Sequence, residues 1–174
     1  KKYKTYRNTS GFNTNVVFVS NLFNQFSFGV HHPLSIRYFL KTLTYNNKQP
    51  EYLLLLGKGL QNNILRRGDL LNLDLVPTIG MPPSDYLFVK DLINNQQRMD
   101  IPISVGRIPA NTNQQVLDYL NKLKSFERNL KNSQQIKGEL WRKNLLHISG
   151  GTKKSQSQRF KSYLRSYENI AKKP

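Results

Sequence analysis

Apolar residues recur along this chain in two patterns, one with helical period and one with strand character. Ile36, Phe39, Leu40 and Leu43 fall at i, i+3, i+4 and i+7, a single stripe that predicts a helix over Pro33–Tyr45. Pro33 suits the first turn, where its missing N–H costs nothing, and Asn46, Asn47 and Pro50 end the helix. Val116, Tyr119, Leu120, Leu123 and Phe126 repeat the stripe after Asn111-Thr112-Asn113, whose short polar side chains are good N-caps. Phe160, Tyr163, Leu164, Tyr167 and Ile170 mark a last helix from about Ser157 to Ala171.

Short runs without that period read as strands. Tyr52–Leu56 is continuous and apolar and closes on Gly57-Lys58-Gly59, the pattern of a central parallel strand. Ile101–Ile108 alternates around an internal Pro102 and Gly106, a strand that enters late or sits near an edge. Val16–Val19, Val76–Met81, Tyr86–Val89 and Leu145–Ile148 are further strand candidates, the last expected to be buried. Residues 21–32 read as a loop containing three Phe, residues 60–74 as a polar loop, and residues 131–138 as a linker.

Strands and helices alternate in this order. Such alternation implies right-handed crossovers and an α/β fold with an open, mostly parallel sheet flanked by helices on both faces. Ligands in such sheets bind beyond the carboxyl ends of the strands. Residues 1–15 are polar and basic and read as a tail or an incoming linker, leaving residues 16–174 as the α/β subdomain. The first residue is Lys and no leader pattern follows, so the segment is expected to be cut from a longer chain.

Charge changes this picture more than composition does. Of 174 residues 37% are hydrophobic, enough for a core, and no apolar run approaches the roughly 20 residues of a spanning helix. The net charge is +17. Residues 1–7 carry four basic groups and no acid, and residues 122–174 carry fourteen basic groups against three acidic ones. A clustered basic surface attracts nucleic acid, anionic lipid or an acidic protein, and it is also what the solvated faces of Lys-rich helices look like. No aromatic-plus-basic nucleic-acid motif accompanies the charge.

The absence of Cys excludes a disulfide scaffold, a thiolate metal site and a cysteine nucleophile within these residues. His31, His32 and His147 are the only histidines, too few and too scattered for a zinc site, and His147 is expected inside a buried strand. Asp69, Asp74, Asp85, Asp91 and Asp100 could offer oxygen to a structural calcium, but no EF-hand-like spacing indicates one, so no cofactor or metal is assigned. Gly57-Lys58-Gly59 lacks both the spaced glycines of a dinucleotide fingerprint and a P-loop ending, and reads as a tight strand exit. Ser149-Gly150-Gly151-Thr152 could hold an anion ahead of a helix, but the loop is long. No hydrolase triad order is recognisable, so these residues contain no complete active site.

An ordered series of segments carries a resemblance. Leu22-Phe23-Asn24-Gln25-Phe26-Ser27-Phe28-Gly29 is followed by Pro33-Leu34-Ser35-Ile36-Arg37-Tyr38-Phe39-Leu40 and then Tyr52–Gly59. Val76-Pro77-Thr78, Ser84-Asp85-Tyr86-Leu87-Phe88, Ile103–Pro109, Leu120–Glu127 and Trp141-Arg142-Lys143-Asn144 come next, in that order. Over residues 16–150 the series resembles gingipain-type cysteine peptidases, a family that includes the sortase-like peptidase of the type IX secretion system. The resemblance implies a caspase-like α/β fold and places this chain in the first of two subdomains. The catalytic His and the nucleophilic Cys of those enzymes belong to the second, so no catalytic residue is carried over. It implies a polypeptide substrate, a partner subdomain bearing His and Cys, secretion-system or surface partners, and a secreted or cell-surface location. Asp85 and Arg107 match family positions and are the candidate binding residues, with a structural role at the strand ends as the stronger expectation. Lys58 stands where the family often has Asp, and Ser149-Gly150-Gly151 replaces an acidic pair. The competing reading is a non-catalytic binding or structural module that uses its basic face.

Overall fold

A computed structural model of the chain describes residues 1–65, 68, 70–92, 103–132, 144 and 146–171. The chain divides into two compact units, residues 1–126 and residues 127–174. In the first unit the elements are α1 (Lys2–Thr9), α2 (Val19–Ser27), α3 (Leu34–Tyr45), β1 (Tyr52–Leu56), the single turn α4 (Asn62–Leu65), β2 (Ser104–Ile108) and most of α5 (Asn113–Asn132). Short 3-10 turns occupy Leu71–Leu73 and Asp85–Phe88. The second unit contains α6 (Lys154–Ala171).

β1 and β2 pair in parallel, with Tyr52 opposite Ser104 and Leu56 opposite Ile108. This is the α/β arrangement with a parallel sheet that the alternation predicts, and two strands make up the sheet among the described residues. The ladder runs past both strand ends: the Gly57 and Lys58 N–H groups donate to the carbonyls of Ile108 and Ala110, each at 3.0 Å. β1 alternates, with Leu55 buried while Tyr52, Leu54 and Leu56 are exposed on the other face.

The core gathers Leu22 of α2, Ile36 and Leu40 of α3, Leu55 of β1, and Val76, Phe88, Val89, Leu92 and Ile103. α3 follows its stripe, with Pro33 at its N-cap position and Ile36 and Leu40 inward. α5 begins with a capping box, in which the Thr112 hydroxyl accepts the Gln115 N–H and Gln115 Oε1 accepts the Asn111 and Thr112 N–H groups.

Four expected strands take other forms. Val16–Phe18 has no strand assignment, and Val19 opens α2, which replaces the expected three-Phe loop. The stripe Val19, Leu22, Phe23, Phe26 has helical spacing, and helical burial of Leu22 and Phe23 outweighs the β-preference of the valines. Val76–Met81 is irregular because its carbonyls at Val76 and Pro77 accept from a side chain instead of a neighbouring strand. Tyr86–Val89 lies largely in a 3-10 turn, since Phe88 and Val89 are both fully buried, which a strand with one buried face cannot achieve at adjacent positions. Leu146–Ile148 is exposed and not a strand, and Leu145 lies outside the described residues. Residues 62–65 and 71–73 add single turns to the expected polar loop. Ile101, Pro102 and residues 133–138 lie outside the described residues.

Residues 2–9, expected as a tail or linker, are helical. The Arg7 guanidinium lies 5.2 Å from the Phe12 ring centroid and 5.6 Å from that of Tyr3, and Phe12 meets Tyr52 edge-on at 5.9 Å. Lys124 of α5 sits 5.2 Å above the Tyr6 ring. Cation–π contacts of this kind contribute about 0.5–1 kcal/mol each at exposed sites, so several together hold a helix that buries no residue of its own.

Leu40 is 1% exposed at the centre of the core. Leu40→Ala is expected to destabilise the chain by about 2–5 kcal/mol, read from the urea midpoint in an unfolding titration. An unchanged midpoint would remove α3 from the core.

Candidate functional site

Because β1 and β2 run in the same direction, their carboxyl ends lie together. That edge is formed by Gly57-Lys58-Gly59 after β1 and Pro109-Ala110 after β2. The segment 74–78 closes it, with the Val76 N–H donating to the Lys58 carbonyl at 3.1 Å and the Thr78 hydroxyl to the Leu60 carbonyl at 2.8 Å. Gly57 has φ +146°, a backbone region that glycine favours. A Cβ on Gly59 would stand 2.6 Å from the Val76 carbonyl oxygen. Both glycines therefore serve a tight strand exit.

Arg107 lies at the centre of this edge. It stands in β2 opposite Leu55, one residue before the strand ends. Its Nε–H and one Nη2–H reach the two oxygens of Asp85 at 2.8 and 2.7 Å. Nη1 donates to the carbonyls of Gly57 at 2.9 Å and Val76 at 2.7 Å, and Nη2 to that of Pro77 at 3.3 Å. A guanidinium has five N–H donors in a planar fork, and all five are engaged. The side chains are 11% and 26% exposed. Arg107 therefore has no donor left for a ligand, and the two candidate residues form one clamp that ties both strand exits to the segment preceding the 3-10 turn.

His31 and Asp74 form a second cluster. His31 Nε2 lies 2.8 Å from the Asp74 carbonyl oxygen and 3.7 Å from its Oδ2, with the ring 4.7 Å from Phe23. Both polar neighbours of Nε2 accept, so the tautomer with the proton on Nε2 fits. Asp74 is buried; its Oδ1 accepts the Leu60 N–H at 2.6 Å and its Oδ2 has no hydrogen-bond partner. Sequence reasoning missed this pairing, and no local signal links residues so far apart.

The remaining candidates stay apart. His32 Nδ1 accepts the Leu34 N–H at the start of α3. His147 is exposed, contrary to its expected place in a buried strand. Asp91 lies 3.8 Å from Lys90 on the surface, and Asp69 and Asp100 lie outside the described residues. Lys58 is exposed. Thr152 spends its N–H and hydroxyl on Gln156 Oε1, so the glycine turn ahead of α6 caps its own helix. Among the described residues, no three His, Cys, Asp or Glu side chains gather to hold a metal ion, and no helix is long and apolar enough to cross a membrane.

A parallel α/β edge with a glycine-rich exit and a saturated arginine clamp defines an α/β domain, and its sequence contains no cysteine. The family model described as Peptidase family C25 matches residues 1–173, and the chain belongs to that family, the gingipain family of cysteine-type peptidases. No curated protein and no solved structure matches the chain.

Removing the clamp tests its weight. Arg107→Met strands the Asp85 carboxylate and three carbonyls, and is expected to cost about 3–5 kcal/mol by urea unfolding. A loss below about 1 kcal/mol would reduce the clamp to a surface ion pair. Gly59→Ala, which forces a Cβ against the Val76 backbone, is expected to cost about 1–3 kcal/mol in the same titration.

Proposed function

We propose that this chain is the N-terminal scaffold subdomain of a secreted gingipain-like cysteine endopeptidase, lacking the catalytic His and Cys and inactive alone. The observation that carries the reading is the family match over residues 1–173 in a chain with no cysteine. A cysteine peptidase cuts by thiolate attack on a peptide carbonyl, with a histidine moving the proton. No sulfur nucleophile exists here, so the thiolate comes from another part of the peptidase.

The role left to this chain is positional. Attack requires reacting atoms held within a few tenths of an ångström, which rigid elements supply better than loops. The Arg107–Asp85 clamp fixes the carboxyl edge of the sheet, where open α/β folds place their ligands. Asp85 and Arg107 act here as structural residues. The partner is the subdomain carrying His and Cys, and the substrate is a polypeptide.

The experiment has two arms. The purified chain is expected to leave fluorogenic peptides uncut, while the product of the complete reading frame cuts them and is inactivated by iodoacetamide. Peptide hydrolysis by the chain alone, or a complete reading frame that encodes no Cys, overturns the proposal.

A further inference from the structure

Among the described residues, three that are not glycine take a left-handed backbone: Phe28, Asn47 and Asp91, with φ of +54°, +53° and +50°. Asn and Asp tolerate that region, because their short polar side chains bond locally. An aromatic side chain does not. Phe28 is also fully exposed, so no packing within the chain repays the conformation. Its neighbours hold it there. The N–H groups of Phe28 and Gly29 both donate to the Phe23 carbonyl, and that of Val30 to the Ser27 carbonyl at 2.9 Å. The Ser27 hydroxyl donates to the Val30 carbonyl at 2.6 Å and accepts from the Ser35 hydroxyl at 2.7 Å. The connection between α2 and α3 is thus a fixed tip that presents Phe28 and Val30 outward, Val30 being 60% exposed.

Two observations say what that tip meets. The first is its place. His31, directly after Val30, has Nε2 2.8 Å from the Asp74 carbonyl oxygen, and Asp74 Oδ1 accepts the Leu60 N–H at 2.6 Å. The tip is therefore tied to the exit of β1, at the carboxyl edge of the sheet. The second is its charge. Residues 8–36 contain no Lys, Arg, Asp or Glu. Such a tip has nothing with which to hold an anionic lipid headgroup or to steer a charged partner. It offers an apolar ring to an uncharged, apolar group. On the peptidase reading, on which this inference rests, the ligand that reaches the carboxyl edge is a polypeptide. We infer that Phe28 is a specificity-determining residue: an apolar side chain of the substrate packs on its ring, which the strained backbone holds out for it.

Peptide binding tests this without cleavage. The full-length protein is alkylated with iodoacetamide, and two fluorescein-labelled octapeptides, identical except for Leu or Ser at every second position, are titrated by anisotropy. The Leu peptide is expected to bind about tenfold more tightly or better, as covering an apolar side chain supports. In Phe28→Asn that preference should fall to about twofold or less, whereas Phe28→Tyr, which keeps a ring, should retain it. Asn accepts the left-handed backbone, so the isolated Phe28→Asn chain should unfold at the wild-type urea concentration or a higher one. A preference that survives Phe28→Asn overturns the inference. Equal binding of the two peptides by the wild type does so too, as does a urea midpoint lowered by the substitution. Phosphatidylglycerol vesicles that bind the wild type and not Phe28→Asn assign the tip to lipid. Self-association of the isolated chain that the same substitution abolishes assigns it to a second copy, and either result overturns the substrate assignment. Binding is read with the cysteine blocked and cutting with it free, so this inference and the peptidase reading fail separately.

Discussion

Among the described residues, no strand donates to three backbone carbonyls at the carboxyl edge of the sheet, those of Gly57, Val76 and Pro77. Arg107 supplies the donors. Buried carbonyls left unpaired cost about 1–3 kcal/mol each, so the loops leaving β1 could not close over the core without such a group. Lysine could not replace it, because a single ammonium has three donors on a flexible stem and cannot span Asp85 and three carbonyls in one plane. Asp85 completes the arrangement by neutralising the charge that Arg107 brings into a largely buried place. The absence of strands at Val76–Met81 and Tyr86–Val89 follows: their backbone is committed to a side chain and to a 3-10 turn.

Much of this was legible in the sequence where local pattern and burial agree. α3, β1, β2, α5 and α6 appear where their periods place them, and in α3 and β1 one apolar face is buried, at Ile36, Leu40 and Leu55. α2 carried the same signal in Val19, Leu22, Phe23 and Phe26, masked by the β-branched Val16 and Val17 just before it. The strand expected at Leu145–Ile148 rested on apolar content alone, which fixes no partner. The site was legible by kind and not by role. Family positions pointed to Asp85 and Arg107, but only geometry shows that five donors meet five acceptors. Asp74 looked like one loop aspartate among five, and its burial against Leu60 and His31 depends on a chain path that no local pattern encodes.

The placement of the histidines bears on chemistry. His31 has its Nε2 turned to the Asp74 carbonyl, His32 caps α3, and His147 lies on the surface. The chain contains no thiol for any of them to activate. The Asp74 carboxylate is engaged through Oδ1 in holding the turn at Leu60. His31, His32 and Asp74 thus hold backbone groups, as Arg107 does.

Polar and apolar groups differ in how they can be left. A buried donor or acceptor without a partner costs free energy at once, so the chain saturates Arg107 internally. An exposed apolar side chain costs only the burial it forgoes, roughly 25 cal/mol per Å². Such faces can therefore stand open until a partner covers them. Tyr52, Leu54 and Leu56 on the outer side of β1 are of this kind, and so are Phe160, Tyr163, Tyr167 and Ile170 of α6. The sheet edge is thus internally satisfied while the apolar faces stand open, and the two differ in what each leaves to the surroundings. The edge keeps its geometry whether or not those faces are covered, because every donor of Arg107 is engaged within the clamp.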